Sequence, residues 1–559
     1  MRKSLFKYLP LILIYFTSTF SQVENLPLNH PVYTFLKEMK VKKIISYINE
    51  DIPNLSRFEV RDFLVEIDSK IPELSGVEIK LLNRYKTEFY KNLDEEKSTY
   101  FFQQGKNLGN SFSEIFSNKL KYLYAYEEEN ANVFINFLGH YTYSQLLKPE
   151  VNNAHLYDFG LRVRGTFFKQ LGYHLSFIKG GVSSSRTVAE ITEPRLLQSF
   201  KWIEKADELS NYDFTEGYIK FHSQPAEKMN LSIQLGREPK TVGYGYGNKL
   251  MLSGLNPVMD FLQFNFSYGI LHYTSIHGST VGRFDSDQSK RYTKYWAFNR
   301  LKLSFENLFD IGIGESIVYS GRGIELAYLT PFAFYKFIEH SLQDRDNGNL
   351  YFDLQTSFIK NLELQATFLL DENILFNWGE LNNYINKTGY QIGAFWYQPF
   401  SIKNLSLIFE YTKIRPFVYS HKNFKNTYTA WEVILGHPIG PNSDEIFTKS
   451  AYNFNDWIRL TCNYRYIRRG ENVYNSEGNL IKNVGGDVFL PYGPGSESEE
   501  APFLDGVRID NNIFEAGLRV EPIRDFIFDL VFNYNIENNI TESYKRYLSY
   551  GFIRFTLEY

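Results

Sequence analysis

From about Val133 to its last residue the chain alternates apolar and polar positions with a period of two, the repeat of β-strands that bury one face. Met229, Leu231, Ile233 and Leu235 alternate with Asn230, Ser232, Gln234 and Gly236. Tyr157, Phe159, Leu161 and Val163 do the same around Asp158, Gly160, Arg162 and Arg164, as do Leu362, Leu364, Ala366 and Phe368 around Glu363, Gln365 and Thr367. Upstream, from Asn29 to about Leu93, the period is 3.6. There Pro31 fits the first turn of a helix capped by Asn29 or His30. Ser56 with Glu59, and Ser75 with Glu78, have the spacing of capping boxes. Val60, Phe63, Leu64 and Ile67 then form one apolar stripe, and Leu81, Leu82, Tyr85 and Phe89 another, which these helices must bury against one another or against the sheet.

Alternation alone does not choose between a soluble sheet and one facing lipid. Three features favour lipid. Short links recur between strand-like runs (Lys169 to Gly172, Asn307 to Asp310, Ile359 to Leu362, Ile402 to Leu405, Ile523 to Asp525), whereas others are long and polar, such as Gly282 to Thr293 and Gly470 to Asn511. That asymmetry is the one of transmembrane barrels, with short turns on one side of the membrane and long loops on the other. The polar phase carries charges of both signs, Arg162, Arg164, Arg300, Lys302, Arg459, Arg465, Arg519 and Arg554 with Asp158, Glu363, Glu410, Glu515, Asp529 and Glu558, as a wet lumen would. The chain ends on an alternating strand, Ile553, Phe555, Leu557 and Tyr559, resembling the terminal signal of bacterial outer-membrane barrels.

An open sheet edge in hydrocarbon would leave backbone groups unpaired, so the barrel must close. About 430 residues at roughly 24 per strand predict 16 to 18 strands, an even number that keeps both barrel ends in the periplasm. The expected class is therefore mostly β: a closed antiparallel transmembrane β-barrel over residues 131–559, preceded by a small helical periplasmic domain over 22–130. Arg2, Lys3 and Lys7, the apolar stretch Tyr8 to Phe16, and Thr19 and Ser21 predict a cleavable signal peptide over 1–21, cut before Gln22. No Cys follows the cut, which disfavours a lipid anchor, and no later run of 18 apolar residues suggests a helical span.

Composition narrows function mainly by exclusion. A net charge of -4 with dispersed basic residues argues against nucleic acid. The lone Cys462 makes no internal disulfide, and no Cys/His spacing suggests zinc or another cofactor. No G-x-S-x-G occurs, and His174, His222, His272 and His277 pair with no evident nucleophile, so no enzymatic activity is expected. Glu497 and Glu499 with Asp505 read as a solvated acidic loop rather than a calcium site. Aromatics, by contrast, reach 17%, with 42 Tyr and 49 Phe, which suits strands, interfacial girdles and sugar platforms.

Two segments carry candidate chemistry. Leu235 to Phe266 interleaves Gly236, Gly243, Gly245, Gly247 and Gly254 with Tyr244 and Tyr246. Glycines permit close backbone approach and tyrosine rings offer stacking faces, or else the segment is a long turn folded into the lumen. It is not a phosphate loop, since no G-K-[ST] and no strand-to-helix context follow. In Arg300 to Phe337, the phase sets Glu315 outward with Ile311, Ile313, Ile317 and Tyr319. A lipid-facing carboxylate is costly, so a bulge at Gly312 and Gly314 is expected to turn Glu315 inward; the alternative is a place at the headgroup level.

At these segments, in Gly236, Arg237 and Glu238, the run Leu250 to Asn256, and Gly314, Glu315 and Tyr328 to Phe334, the chain resembles the capsule assembly protein Wzi family. The family's Trp-Gly-Pro-Gly-like element stands here as Gly243-Tyr244-Gly245-Tyr246-Gly247. The resemblance implies an outer-membrane barrel that binds or organises surface polysaccharide without enzymatic chemistry, embedded in outer-membrane lipid. It implies polysaccharide contacts from Arg237, Glu238, Tyr244, Tyr246, Asn248, Arg300 and Glu315. A porin or substrate-specific channel remains the alternative that the mixed-charge lumen permits, and a periplasmic partner of the helical domain is left open.

Overall fold

The computed structural model describes residues 22–90, 97–102, 108–203, 210–343, 345–371, 382–493, 495–496 and 498–559. The expected signal peptide and Glu497 lie outside them. Eighteen antiparallel strands among the described residues close into a barrel. In chain order they are β1 Ala131–Lys148, β2 Asn152–Phe167, β3 Leu171–Ser184, β4 Asn211–Ala226, β5 Met229–Glu238, β6 Met259–Tyr268, β7 Leu271–Val281, β8 Thr293–Phe305 and β9 Phe309–Ser320. The second half comprises β10 Asn347–Thr356, β11 Leu362–Leu370, β12 Thr388–Tyr397, β13 Leu405–Ile414, β14 Ser443–Asn453, β15 Ile458–Glu471, β16 Val507–Ile523, β17 Phe526–Asn539 and β18 Tyr544–Glu558.

β18 pairs with β1, Arg554 opposite Thr142 and Phe555 opposite Tyr141, so the sheet has no open edge there. The last residue takes part in the closure: Tyr559 N–H donates to the Phe137 carbonyl at 2.9 Å. The short links predicted from sequence all fall at one end of the barrel and the long loops at the other. Along the outer wall the alternating apolar side chains stand exposed, among them Phe159, Leu235, Ile311, Ile392, Phe409 and Phe532. An apolar belt of that extent is matched by acyl chains and not by water.

Three helices, α1 Val32–Val41, α2 Arg57–Asp68 and α3 Gly76–Phe89, fill the mouth at the short-turn end. Both predicted capping boxes form. Glu59 accepts from Ser56 N–H at 2.7 Å and Glu78 from Ser75 N–H at 2.5 Å, while Ser75 Oγ accepts from Glu78 N–H at 3.2 Å. At α1 the cap sits one residue later than expected, because Pro31 is itself the N-cap residue and His30 Nδ1 accepts from Val32 N–H at 3.2 Å. The stripes on α2 and α3 bury against Phe35, Leu36 and Met39 of α1 and against Phe395 and Tyr397 of the wall. Beyond α3 the described residues combine a further short helix, Leu108–Glu114, with strand. Ser98–Tyr100 pairs with Leu120–Tyr122, their tyrosines packing with Phe134 of β1, so the β-favouring aromatics there find a wall to lie on.

The lumen departs from the uniformly wet interior that the alternation suggests. Toward the long-loop end of β6–β9 and β13 the inward face carries a core in which Phe261, Ile276, Trp296, Phe298, Val318 and Ile414 pack with Leu250, Met251, Leu252, Tyr419, Tyr428 and Leu435 of two inserted loops. These inward aromatic and aliphatic residues interrupt the polar phase that would mark a lumen.

Candidate functional site

The glycine-rich segment 239–258 connects β5 to β6 and turns into the lumen. Gly243 and Gly245 have φ of +100° and +147°, conformations that side-chain-bearing residues rarely adopt. A Cβ on Gly245 would come within 2.3 Å of the Asn248 carbonyl oxygen. The turn is held through its backbone. Tyr246 and Gly247 N–H donate to the two carboxylate oxygens of Glu410 at 2.7 and 3.0 Å, Gly245 N–H donates to Gln365 at 3.1 Å, and Gly243 N–H donates to the Asp51 carbonyl at 2.9 Å. The loop between β13 and β14, residues 415–442, locks on from the other side: Tyr419 and Tyr428 hydroxyls donate to the carbonyls of Leu250 and Met251 at 2.6 and 2.9 Å.

The seven residues singled out by resemblance are separated by this arrangement. Tyr244 is 2% exposed, its hydroxyl donating to Asp310 at 3.1 Å. Tyr246 donates to Glu363 at 2.9 Å, and the Asn248 carbonyl accepts from Gln391 at 2.7 Å. Arg300, also 2% exposed, forms a bidentate pair with Asp353 and lies 2.6 Å from Asp51, which Lys302 also contacts at 2.5 Å. Burial opposes ionisation of Asp51, yet Lys302 and Arg300 outweigh it and hold the carboxyl well below its usual range. Glu238 faces the interior, accepting from Lys240 at 2.6 Å and Gln234 at 2.8 Å. These side chains brace the inserted loop.

The other two lie on the outside. Arg237, at the long-loop end of β5, pairs across the outer face with Asp260 at 2.8 Å, both well exposed. Glu315 corrects an expectation: β9 pairs with β8 and β10 in continuous register through Gly312 and Gly314, with no bulge. The carboxylate stays on the outer face, where it accepts N–H bonds from Tyr335 at 2.7 Å and Lys336 at 3.4 Å, from the loop between β9 and β10. Those bonds offset the cost of its outward position.

Two features escape the sequence reading. At the long-loop end, Phe284 and Trp431 lie nearly parallel, with ring centroids 6.1 Å apart and planes at 12°. Arg291 stands 5.4 Å over the Phe284 ring, and Arg283 pairs with Glu432 at 2.5 Å. Trp431 N–H donates to the Gly282 carbonyl at 2.9 Å, which ties the two loops into one surface of flat faces edged by charge. An aromatic beside a charged residue on each side of the contact, Arg283-Phe284 and Trp431-Glu432, could have signalled it, but the contact spans about 150 residues of sequence.

The second feature is a chamber along β1–β4 and β15–β18, where the lumen is not filled by loops. Two cavities of about 300 and 630 Å³ share lining residues His30, Glu88, Arg519, Asp529, Arg554 and Glu558. Here the charged phase read from sequence meets in pairs: Arg162 with Glu558 at 2.7 Å, Arg519 with Asp529 at 2.7 and 3.0 Å, and Arg554 with Glu193 at 3.4 Å.

Among solved structures, the Escherichia coli outer-membrane protein Wzi, described as a carbohydrate-binding β-barrel involved in group 1 capsule assembly, aligns with a TM-score of 0.55 at 11% identity, covering 95% of this chain and 99% of that one. At that identity the likeness speaks to the fold. OprD from Pseudomonas aeruginosa (11% identity, 76% of this chain, 94% of that one) and OccAB4 from Acinetobacter baumannii (10%, 76% and 98%) reach TM-scores of only 0.42 and 0.43. No curated protein sequence matches the chain. The model of the capsule assembly protein Wzi family matches residues 103–509, from ahead of the barrel through the long loop after β15, and the chain belongs to that family.

Proposed function

We propose that the protein is an outer-membrane barrel that binds surface polysaccharide at its long-loop end and does no chemistry on it. The observation that carries this reading is the Phe284 and Trp431 surface, flanked by Arg283, Arg291 and Glu432. Flat aromatic faces stack on sugar rings, while guanidinium and carboxylate groups hydrogen-bond hydroxyls or acidic substituents. Family membership and the barrel fold support it. In this reading Tyr244, Tyr246, Asn248, Glu238 and Arg300 act by fixing the inserted loop, and Arg237 and Glu315 by meeting the membrane side of the wall. The helical unit would lie on the periplasmic side.

The test is glycan retention on cells carrying the Phe284→Ala, Trp431→Ala double variant. Each lost stacking face is worth ~1 kcal/mol, so binding is expected to weaken roughly tenfold or more while barrel assembly is unchanged. Undiminished retention with an intact barrel would refute the assignment of this surface. A second reading, a selective channel, is favoured by the adjoining charged cavities along β1–β4 and β15–β18. A stable open conductance indifferent to added glycan would support it.

A further inference from the structure

The loop between β9 and β10, residues 321–346, does not rise from the barrel. It folds back down the outer wall, and its helix Tyr335–Ser341 lies against β9 and β10. The wall beneath it breaks the lipid-facing rule. Tyr273, Asn299, Glu315 and Tyr319 stand on the outer face, in phase with the exposed Ile311, Ile313 and Leu301.

Each of those polar groups meets a polar group of the loop. Glu315 accepts the two N–H bonds already described. Asn299 Nδ2 donates to the Ala333 carbonyl at 2.9 Å, the Tyr273 hydroxyl donates to the Pro331 carbonyl, and Glu325 N–H donates to the Tyr319 hydroxyl at 3.0 Å. Tyr335, buried between loop and wall, donates to the Tyr328 carbonyl at 3.1 Å. Backbone exposed to water would need no such partners, whereas irregular backbone at membrane depth is tolerated only when its polar groups are satisfied by protein.

The loop's other side is apolar and open. Phe332, Phe334 and Phe337 are 65%, 66% and 72% exposed, and Phe332 stacks on Tyr273 at 4.7 Å, which makes this patch continuous with the lipid-facing wall. Lys336, between two of these rings, carries its charge back to Glu339 at 2.8 Å. We infer that residues 325–342 form a membrane-embedded flap whose Phe332, Phe334 and Phe337 face lies among the acyl chains of the outer leaflet. The flap anchors the rim of the barrel on the β6–β10 side. This rests on the outer wall facing lipid, which the experiment checks separately.

The full-length protein, refolded in phosphatidylcholine vesicles, is nitroxide-labelled at one cysteine at a time, and collision with oxygen and with a water-soluble nickel chelate is measured. Native Cys462, exposed on the outer face of β15, is the in-membrane reference; in a Cys462→Ser background, Ser286→Cys in an external loop is the aqueous one, and Phe337→Cys and Phe334→Cys report on the flap. The flap sites are expected to favour oxygen over nickel severalfold, as Cys462 does, and opposite to Ser286. Nickel access like that of Ser286, with Cys462 still lipid-like, overturns the flap and leaves the barrel reading standing. Low access to both reagents means another protein surface covers the patch and overturns it too. A water-like Cys462 would refute the lipid-facing wall itself. Retained heat-modifiable gel mobility establishes that each variant is folded.

Discussion

Arg300 on β8 lies 2.6 Å from the carboxylate of Asp51, which belongs to the segment between α1 and α2, and this ion pair joins the helical unit to the barrel wall together with Lys40–Glu363 and Glu38–Arg459, each at 3.2 Å. Asp51 also holds Lys302 at 2.5 Å, and all three are almost fully buried. Asp51→Ala therefore leaves two buried cations short of a partner. Removing one side of a buried pair costs about 3–5 kcal/mol, spent here on docking of the helical unit rather than on the barrel ladder. The expected result is faster proteolysis of residues 22–90 with unchanged barrel mobility on gels.

Gly245 makes a narrower demand. Its φ of +147° and the 2.3 Å approach of the Asn248 carbonyl exclude any side chain. Gly245→Ala should release the turn from Glu410, giving faster amide exchange across 243–250, whereas Gly478→Ala, with open space around its Cβ position, should leave exchange in 243–250 as it is. Equal protection of 243–250 in both variants would show that the turn does not depend on this backbone conformation.

The barrel was legible because its signal is periodic: the phase of Tyr157, Leu235 and Phe532, the short links, and the terminal Tyr559 each require only local sequence. The same holds for the capping boxes at Ser56 and Ser75. The filled lumen was not legible, because Trp296 and Phe298 face inward toward Leu250 and Tyr428, and no local rule distinguishes an inward aromatic from an outward one when both phases are apolar. Glu315 misled for a related reason. Its outward phase follows from the alternation, but its partners, the N–H groups of Tyr335 and Lys336, come from a loop whose return path the strand pattern does not encode. The Phe284 and Trp431 surface belongs to the same class, being made by two loops that meet only in the folded barrel.

His437, on the inserted loop 415–442, is 1% exposed, and neither ring nitrogen has a hydrogen-bond partner. Burial, with Arg465 nearby adding to it, pulls the imidazole down to about 3 from its usual 6.5. The unfolded or undocked loop then binds more protons than the docked one between pH 6.5 and 3. Docking stability is therefore full above about 6.5 and falls as the pH is lowered through that window. Amide exchange in 415–442 should accelerate on acidification, and His437→Met should flatten the dependence. A profile unchanged by that substitution would assign the acid sensitivity to other groups.

The chamber along β1–β4 and β15–β18 is one of the open parts of the lumen, and its charges are mutually engaged. Arg519 holds Asp529 through two bonds, and Arg554 reaches Glu193 on the loop after β3, which stands over the chamber. Glu193→Gln removes the charge opposite Arg554 without changing side-chain volume. Glu193, which Arg195 also holds at 2.7 Å, lies on a loop outside the strand ladder, so the barrel should assemble normally. What changes is the field in the chamber, which becomes more positive by one charge at a site lined by Arg162, Arg195 and Arg554. In planar bilayers the variant should shift any residual conductance toward anions, read as a displaced reversal potential across a salt gradient. If conductance is measurable but its selectivity is the same in both proteins, ions do not pass along this wall.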